Sequence, residues 1–174
     1  NTGAWGMTHA INLGPKAFLK TVALYSAYDN GFRQHRFNNN YTSELRYNEN
    51  YSLRKMAISS TINYKVNTRM ALRAGAIWTH HSYDLFKEAW ESDTQKLERF
   101  IQSKGQTATI QAFAQANYRL SEKLTANLGV HTLALLLNQS RSIEPRASLK
   151  WDLAAGQSIA FGYGIHSKLH PSGL

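Results

Sequence analysis

The chain contains no cysteine, which excludes disulfide scaffolds, thiolate zinc sites and cysteine nucleophiles. No apolar run approaches the roughly 18 residues needed for a transmembrane helix, and mean hydropathy is −0.44. Neither fact excludes a membrane protein whose strands turn one face to lipid and the other to a polar lumen. Acidic residues are scarce, 11 against 20 Lys and Arg, and the formal net charge is +9. Such an excess often points to nucleic acid or anionic lipid. Here the cations are spread through strand faces and connections with no basic helix or compact run, so nucleic acid is not expected as a partner. Nothing resembles a nucleophile elbow, and no catalytic arrangement, cofactor site or metal site is read from the sequence.

What is present is alternation. From Gln106 to Leu120 the even positions are Ala108, Ile110, Ala112, Ala114, Ala116, Tyr118 and Leu120, and the odd ones are polar apart from Phe113. After Ser121-Glu122-Lys123, Leu124, Ala126, Leu128, Val130 and Ala134 fall on one face. A third run sets Ile143, Pro145, Ala147, Leu149, Trp151 and Leu153 against Glu144, Arg146, Ser148, Lys150 and Asp152. A fourth, past Ala155-Gly156-Gln157, sets Ile159, Phe161, Tyr163, Ile165 and Leu169 against Ser158, Gly162, Gly164, His166 and Lys168. A period of two specifies a strand with one apolar and one polar face. Runs of about 11 to 15 residues exceed the roughly 5 to 6 of soluble strands and suit a tilted bilayer crossing.

Earlier in the chain, Trp5, Met7, Ile11 and Leu13 share a face, and Gly14-Pro15-Lys16 turns. The run 17–28 is apolar on both faces, which leaves its lipid side open. Residues 29–50 are rich in Asn, Arg, Gln and Tyr and read as a long polar loop with short strand extensions near 43–47. Met56, Ile58, Ile62, Tyr64 and Val66 alternate with polar residues up to the turn at Asn67-Thr68-Arg69. Met70, Leu72, Ala74, Ala76 and Trp78 then alternate upward into a second long loop, 84–105, in which residues 86–100 have spacing for a helical turn. Only the link near 138–142 is short on the long-loop side. Tyr64, Tyr118 and Trp151 lie just before tight turns, where an interfacial aromatic girdle belongs. The fold class expected is all-β: an antiparallel transmembrane β-barrel segment of about eight long strands, with short periplasmic turns and long extracellular loops.

Two stretches carry a family resemblance. Ser142-Ile143-Glu144-Pro145-Arg146 and Phe161-Gly162-Tyr163-Gly164-Ile165-His166-Ser167 resemble the S-x-E-P-R strand start and the F-G-Y-G-x-H-S strand of TonB-dependent receptors of the Bacteroidetes. The likeness is specific over Ile143–Pro171 and rests on strand pattern elsewhere. It implies a bacterial outer-membrane transporter in which a plug domain fills a barrel of about 22 strands and energy relayed through TonB imports a scarce nutrient. This chain has no plug or TonB-contacting box. Its first residues carry no signal peptide and its last end without a terminal aromatic, so 1–174 is expected to be a segment of a larger barrel. Partners implied are outer-membrane lipid, the parent's plug domain, TonB and an unidentified imported ligand. The protein is not expected to be an enzyme.

Glu144, Arg146 and His166 form the sharpest constellation. With both polar faces kept on one side of the 154–157 turn, His166 falls opposite Arg146 or Glu144, where cross-strand neighbours are about 5 Å apart. They line the lumen and either face the plug or an anionic ligand or form a structural charge network. Lys55, Lys65, Arg73, Arg119 and Lys150 are assigned to the same lumen. Tyr41, Tyr47 and Trp90 are the loop candidates for ligand contact, within an aromatic set (Tyr51, Phe86, Phe100) that also suits self-packing. His80 and His81, being adjacent, face opposite sides of a strand and cannot share a metal. Gly162 and Gly164 read as close backbone approach or a bend. Glu88 and Glu91 are placed in a solvated loop. The sequon matches at 40–42, 50–52 and 138–140 mark loops and nothing more.

Two other architectures share the pattern. One is a complete eight-stranded outer-membrane barrel; the other is a soluble lipocalin-like binding barrel, which turns its apolar face inward. Alternation by itself does not distinguish inside from outside.

Overall fold

The computed structural model describes residues 1–154 and 156–167. Ala155 and residues 168–174, which include Lys168 and Leu169 of the fourth run, lie outside the described residues. Eight strands follow one another: β1 (Thr2–Asn12), β2 (Ala17–Phe37), β3 (Ser43–Lys65), β4 (Met70–Glu91), β5 (Lys96–Arg119), β6 (Leu124–Leu135), β7 (Ser140–Ala154) and β8 (Gln157–Gly164). They form one sheet in the order β1-β2-β3-β4-β5-β6-β7-β8, all antiparallel, and the described residues contain no helix. β1 and β8 stand at the two ends of this order.

The expected all-β class with about eight antiparallel strands holds, and the long connections are corrected. Residues 29–50 and 84–105 are not loops, because β2 and β3 close at 38–42 and β4 and β5 at 92–95. The helical spacing at 86–100 is strand as well. β2 to β5 are therefore 21, 23, 22 and 24 residues long, against 11, 12, 15 and 8 for the others. Backbone pairing needs no apolar side chain. A hairpin arm with polar residues on both faces loses its alternation while keeping its ladder, and this hid these arms in the sequence.

The turns divide by chemistry. Gly14 (φ 123°) and Gly156 (φ 77°) supply the left-handed residue in two of the tight turns. At the opposite strand ends, Tyr41, Gln95 and Gln139 hold φ values of 59°, 53° and 57°. Asn38 accepts at Oδ1 from the amides of Asn40 and Thr42, both at 2.9 Å. Asn67 accepts likewise from Arg69 and Met70 at 2.8 Å, the asparagine-turn geometry.

The chain forms two compact units, unit 1 (1–7, 23–57 and 79–108) and unit 2 (8–22, 58–78 and 109–174). In unit 2 the register of the last four strands is continuous. Tyr118 lies opposite Ala126, Ala126 opposite Leu149, and Leu149 opposite Phe161. The neighbouring row on the other face is Asn117, Asn127, Ser148 and Gly162. There the Asn117 amide donates to Asn127 Oδ1 at 2.5 Å, and the Asn127 amide donates to Ser148 Oγ at 3.2 Å. The undecided faces of 17–28 are also fixed, because the Thr21 and Ser60 hydroxyls pair at 3.1 Å. Ser60 shares its face with Met56, Ile58, Ile62 and Tyr64, so the odd residues of β2 join that apolar face.

No apolar side chain is buried among the described residues. Leu128, Ile143, Phe161 and Tyr163 are 61 to 71% exposed, and the two buried side chains are polar, Thr79 and Glu144. Soluble domains have the opposite arrangement.

Candidate functional site

Glu144 occupies the polar face of β7, opposite His131 of β6, and is 3% exposed. Two strands and the segment after β8 surround it. His131 Nδ1 donates to Oε2 at 3.2 Å and Arg146 Nη2 donates to the same oxygen at 3.0 Å. Oε1 accepts from the Ser167 amide at 3.1 Å, from Ser167 Oγ at 2.5 Å and from Ser142 Oγ at 3.5 Å. Five donors thus converge on one carboxylate, which gives a buried anion the compensation it needs. His131 is held in turn through Nε2, 3.2 Å from Gln111 Oε1.

Pro145 explains why the chain departs here. Ile165 donates its amide to the Pro145 carbonyl at 3.1 Å, but proline has no N–H to return the bond. The β7–β8 ladder ends at Arg146 opposite Gly164. Ser167, past the last ladder pair, bonds the Glu144 side chain in place of a backbone partner.

The three residues singled out in the sequence do come together. His166 reaches Arg146 rather than Glu144, with Arg146 Nη2 donating to its Nδ1 at 3.4 Å. Gly129 and Gly164 lie opposite Arg146 on either side. A β-carbon at Gly164 would stand 3.3 Å from Arg146 Cγ, so the close-approach reading of Gly164 holds for this arginine. Sequence reasoning missed His131, Gln111 and Ser167. Centring the β6–β7 hairpin on 136–139 would have placed His131 opposite Glu144. However, the run of three leucines at 135–137 marks no unique turn.

Saturated by donors, Glu144 has little capacity left for a ligand. Arg146 keeps a half-exposed side chain beside a concavity of about 630 Å³ that Ser148, Gly162 and His166 also line. Lys150 pairs with Asp152 at 2.8 Å, and the Arg73 guanidinium lies 5.8 Å from the Phe113 ring centroid.

In unit 1 the loop candidates separate. Tyr41 is 88% exposed at a turn tip. Gln95 and Gln139 adopt the same left-handed backbone, so its conformation is turn chemistry. Tyr47 donates to Glu49 Oε2 at 2.5 Å and meets the Phe32 ring edge-on at 5.6 Å; the bond to Glu49 raises the tyrosine pKa. Trp90 is covered by the Arg46 guanidinium at 3.8 Å, which also pairs with Glu44 at 2.8 Å. Glu88, read as solvated loop, accepts from the Asn48 amide at 2.8 Å on β3. Tyr47 and Trp90 are thus self-packed, and Tyr41 stays open. No group of three or more His, Asp or Glu side chains with metal-binding geometry occurs among the described residues.

No family model, curated protein or solved structure matches this chain.

Proposed function

We propose that the chain is a wall segment of a bacterial outer-membrane β-barrel, within an energy-coupled transporter of the TonB-dependent type that imports a scarce nutrient. One observation carries the membrane half of this reading. No apolar side chain is buried among the described residues and many are exposed, while the most deeply buried of those residues is a charged glutamate on the polar face. A sheet with that inversion leaves its apolar face to be covered from outside the chain, and lipid covers it at no desolvation cost. The apolar stretches then cross the bilayer, and the polar hairpin arms stand in the extracellular medium. The transporter half is supported by the S-x-E-P-R and F-G-Y-G-x-H-S resemblance, whose residues Glu144, Arg146, His166 and Ser167 meet in one network.

A second reading draws on the strand count. Eight sequential antiparallel strands are enough to close a small barrel filled by its own side chains. Folding the chain with and without detergent, with β-signal and mass followed together, separates the readings. The wall reading expects β-structure only in detergent or lipid, with a mass of more than one chain as free edges pair. One chain per micelle supports the closed small barrel, and a compact monomer in plain buffer supports the lipocalin-like barrel. Transport is tested in cells. Deleting the gene should slow growth on a limiting nutrient as much as removing the inner-membrane energy relay, with no added loss in the double deletion.

A further inference from the structure

The positive charge that looks dispersed in the sequence is gathered by the fold. Unit 1 carries nine Lys and Arg against eight Asp and Glu. Unit 2 carries eleven against three, so eight of the nine net charges belong to unit 2. Within unit 2, an open concavity of about 640 Å³ is lined by Lys16, Lys65, Arg69, Arg73 and Arg119, and by no carboxylate.

These five cations are not neutralised by the protein. Among the described residues none forms a salt bridge. Lys16 Nζ reaches only the Val66 carbonyl at 3.5 Å, and Arg73 faces the Phe113 ring. Glu144 and Asp152 of unit 2 are already engaged by Arg146 and Lys150, and Glu122 is not part of the lining. Between the cations stand the neutral amides of Gln115 and Asn117, which can donate to an anion without adding charge.

We propose that this concavity is a binding site for a small polyanion carrying at least two phosphate or carboxylate groups. Uncompensated like charges around one hollow repel each other and focus a positive potential in it. An anionic occupant relieves that repulsion, and the arginine forks match the paired oxygens of either group. The volume lies in the range of small-molecule sites, about 300–1,000 Å³. The assignment does not rest on the membrane setting, since Lys65, Arg73 and Arg119 stand on the polar positions of β3, β4 and β5 whichever face meets lipid.

The test is calorimetric titration of the folded chain, in detergent or in buffer, with pyrophosphate and with citrate at low and at high salt. Binding of either at low salt, lost at high salt, is expected, and the two probes distinguish phosphate from carboxylate. Arg73→Gln with Arg119→Gln should weaken binding about tenfold or more. Lys104→Gln, whose lysine pairs with Asp84 in unit 1, should leave it unchanged. If the arginine variant loses its β-signal, Lys16→Gln with Lys65→Gln replaces it with the same expectation. The proposal is overturned by silence of both probes at low salt, by undiminished binding in the variants, or by binding of polyglutamate alone.

Discussion

Phe113 lies across Gly75. A β-carbon built at Gly75 would stand 2.7 Å from Cζ of the phenyl ring and 2.7 Å from the backbone oxygen of Ser60. The one aromatic that breaks the polar face of β5 is there because a neighbouring strand has no side chain at that point. Gly75→Ala should therefore destabilise the folded protein by about 1–3 kcal/mol, read as a lower denaturant midpoint. Trimming the ring with Phe113→Leu should recover only part of the loss, because the Ser60 carbonyl is backbone and cannot move aside. Full recovery would mean that the ring alone fills the space.

Tyr83 and Gly105 make the complementary case. A β-carbon at Gly105 would meet three atoms of the Tyr83 phenol, the hydroxyl oxygen nearest at 2.6 Å, and no backbone atom closer than these. Gly105→Ala should be destabilising alone and close to neutral on a Tyr83→Ala background. A double-mutant cycle should thus give a large coupling energy, and additive effects would show that ring and glycine do not share the space.

Glu144 should act as a fastening for the segment after β8. Glu144→Gln keeps the shape but removes the charge that draws on Arg146, His131 and both donors of Ser167. The expected result is faster hydrogen exchange at the Ser167 amide, with β6–β7 ladder amides little changed. Ser167→Ala should produce a smaller version of the same change. Equal exchange in wild type and Glu144→Gln would remove the side chain from this role.

Asp29 gives a pH dependence of known sign. Its carboxyl is held below its ordinary value by hydrogen bonds from Arg54 first and Ser52 second; the Arg54 and Ser52 contacts are both 2.8 Å. The folded-state pKa lies below the unfolded value of about 3.9. Its stabilising contribution is present above that value and fades as pH falls through the folded pKa. Exchange protection of β2 and β3 around Asp29 and Arg54 should drop on acidification below about pH 4. Asp29→Asn should flatten that drop, and a drop of the same size in the variant would assign it elsewhere.

The two-residue period of Gln106–Leu120, of the 143–153 run and of 159–165 is enough to identify strands, their faces and their tight turns, because side-chain alternation is a property of one strand alone. The meeting of Arg146 and His166 was legible for the same reason, since a tight turn fixes the register of the strands it joins. His131 and Ser167 were not legible, because their partnership with Glu144 depends on a second register across 136–139 and on Pro145 ending a ladder. The hairpin arms at 29–50 and 84–105 were hidden too. Their stability comes from pairing between strands, to which the composition of either strand is nearly blind.

By itself, then, the sequence determined which residues of the alternating runs share a face, that strands carry those runs, and a net charge of +9. Tertiary structure decided which faces join. The Thr21–Ser60 pair aligned the ambiguous β2, and the order of the strands brought Lys65, Arg73 and Arg119 around one concavity. Register, not composition, sets cross-strand neighbours, and a register exists only once two strands have met.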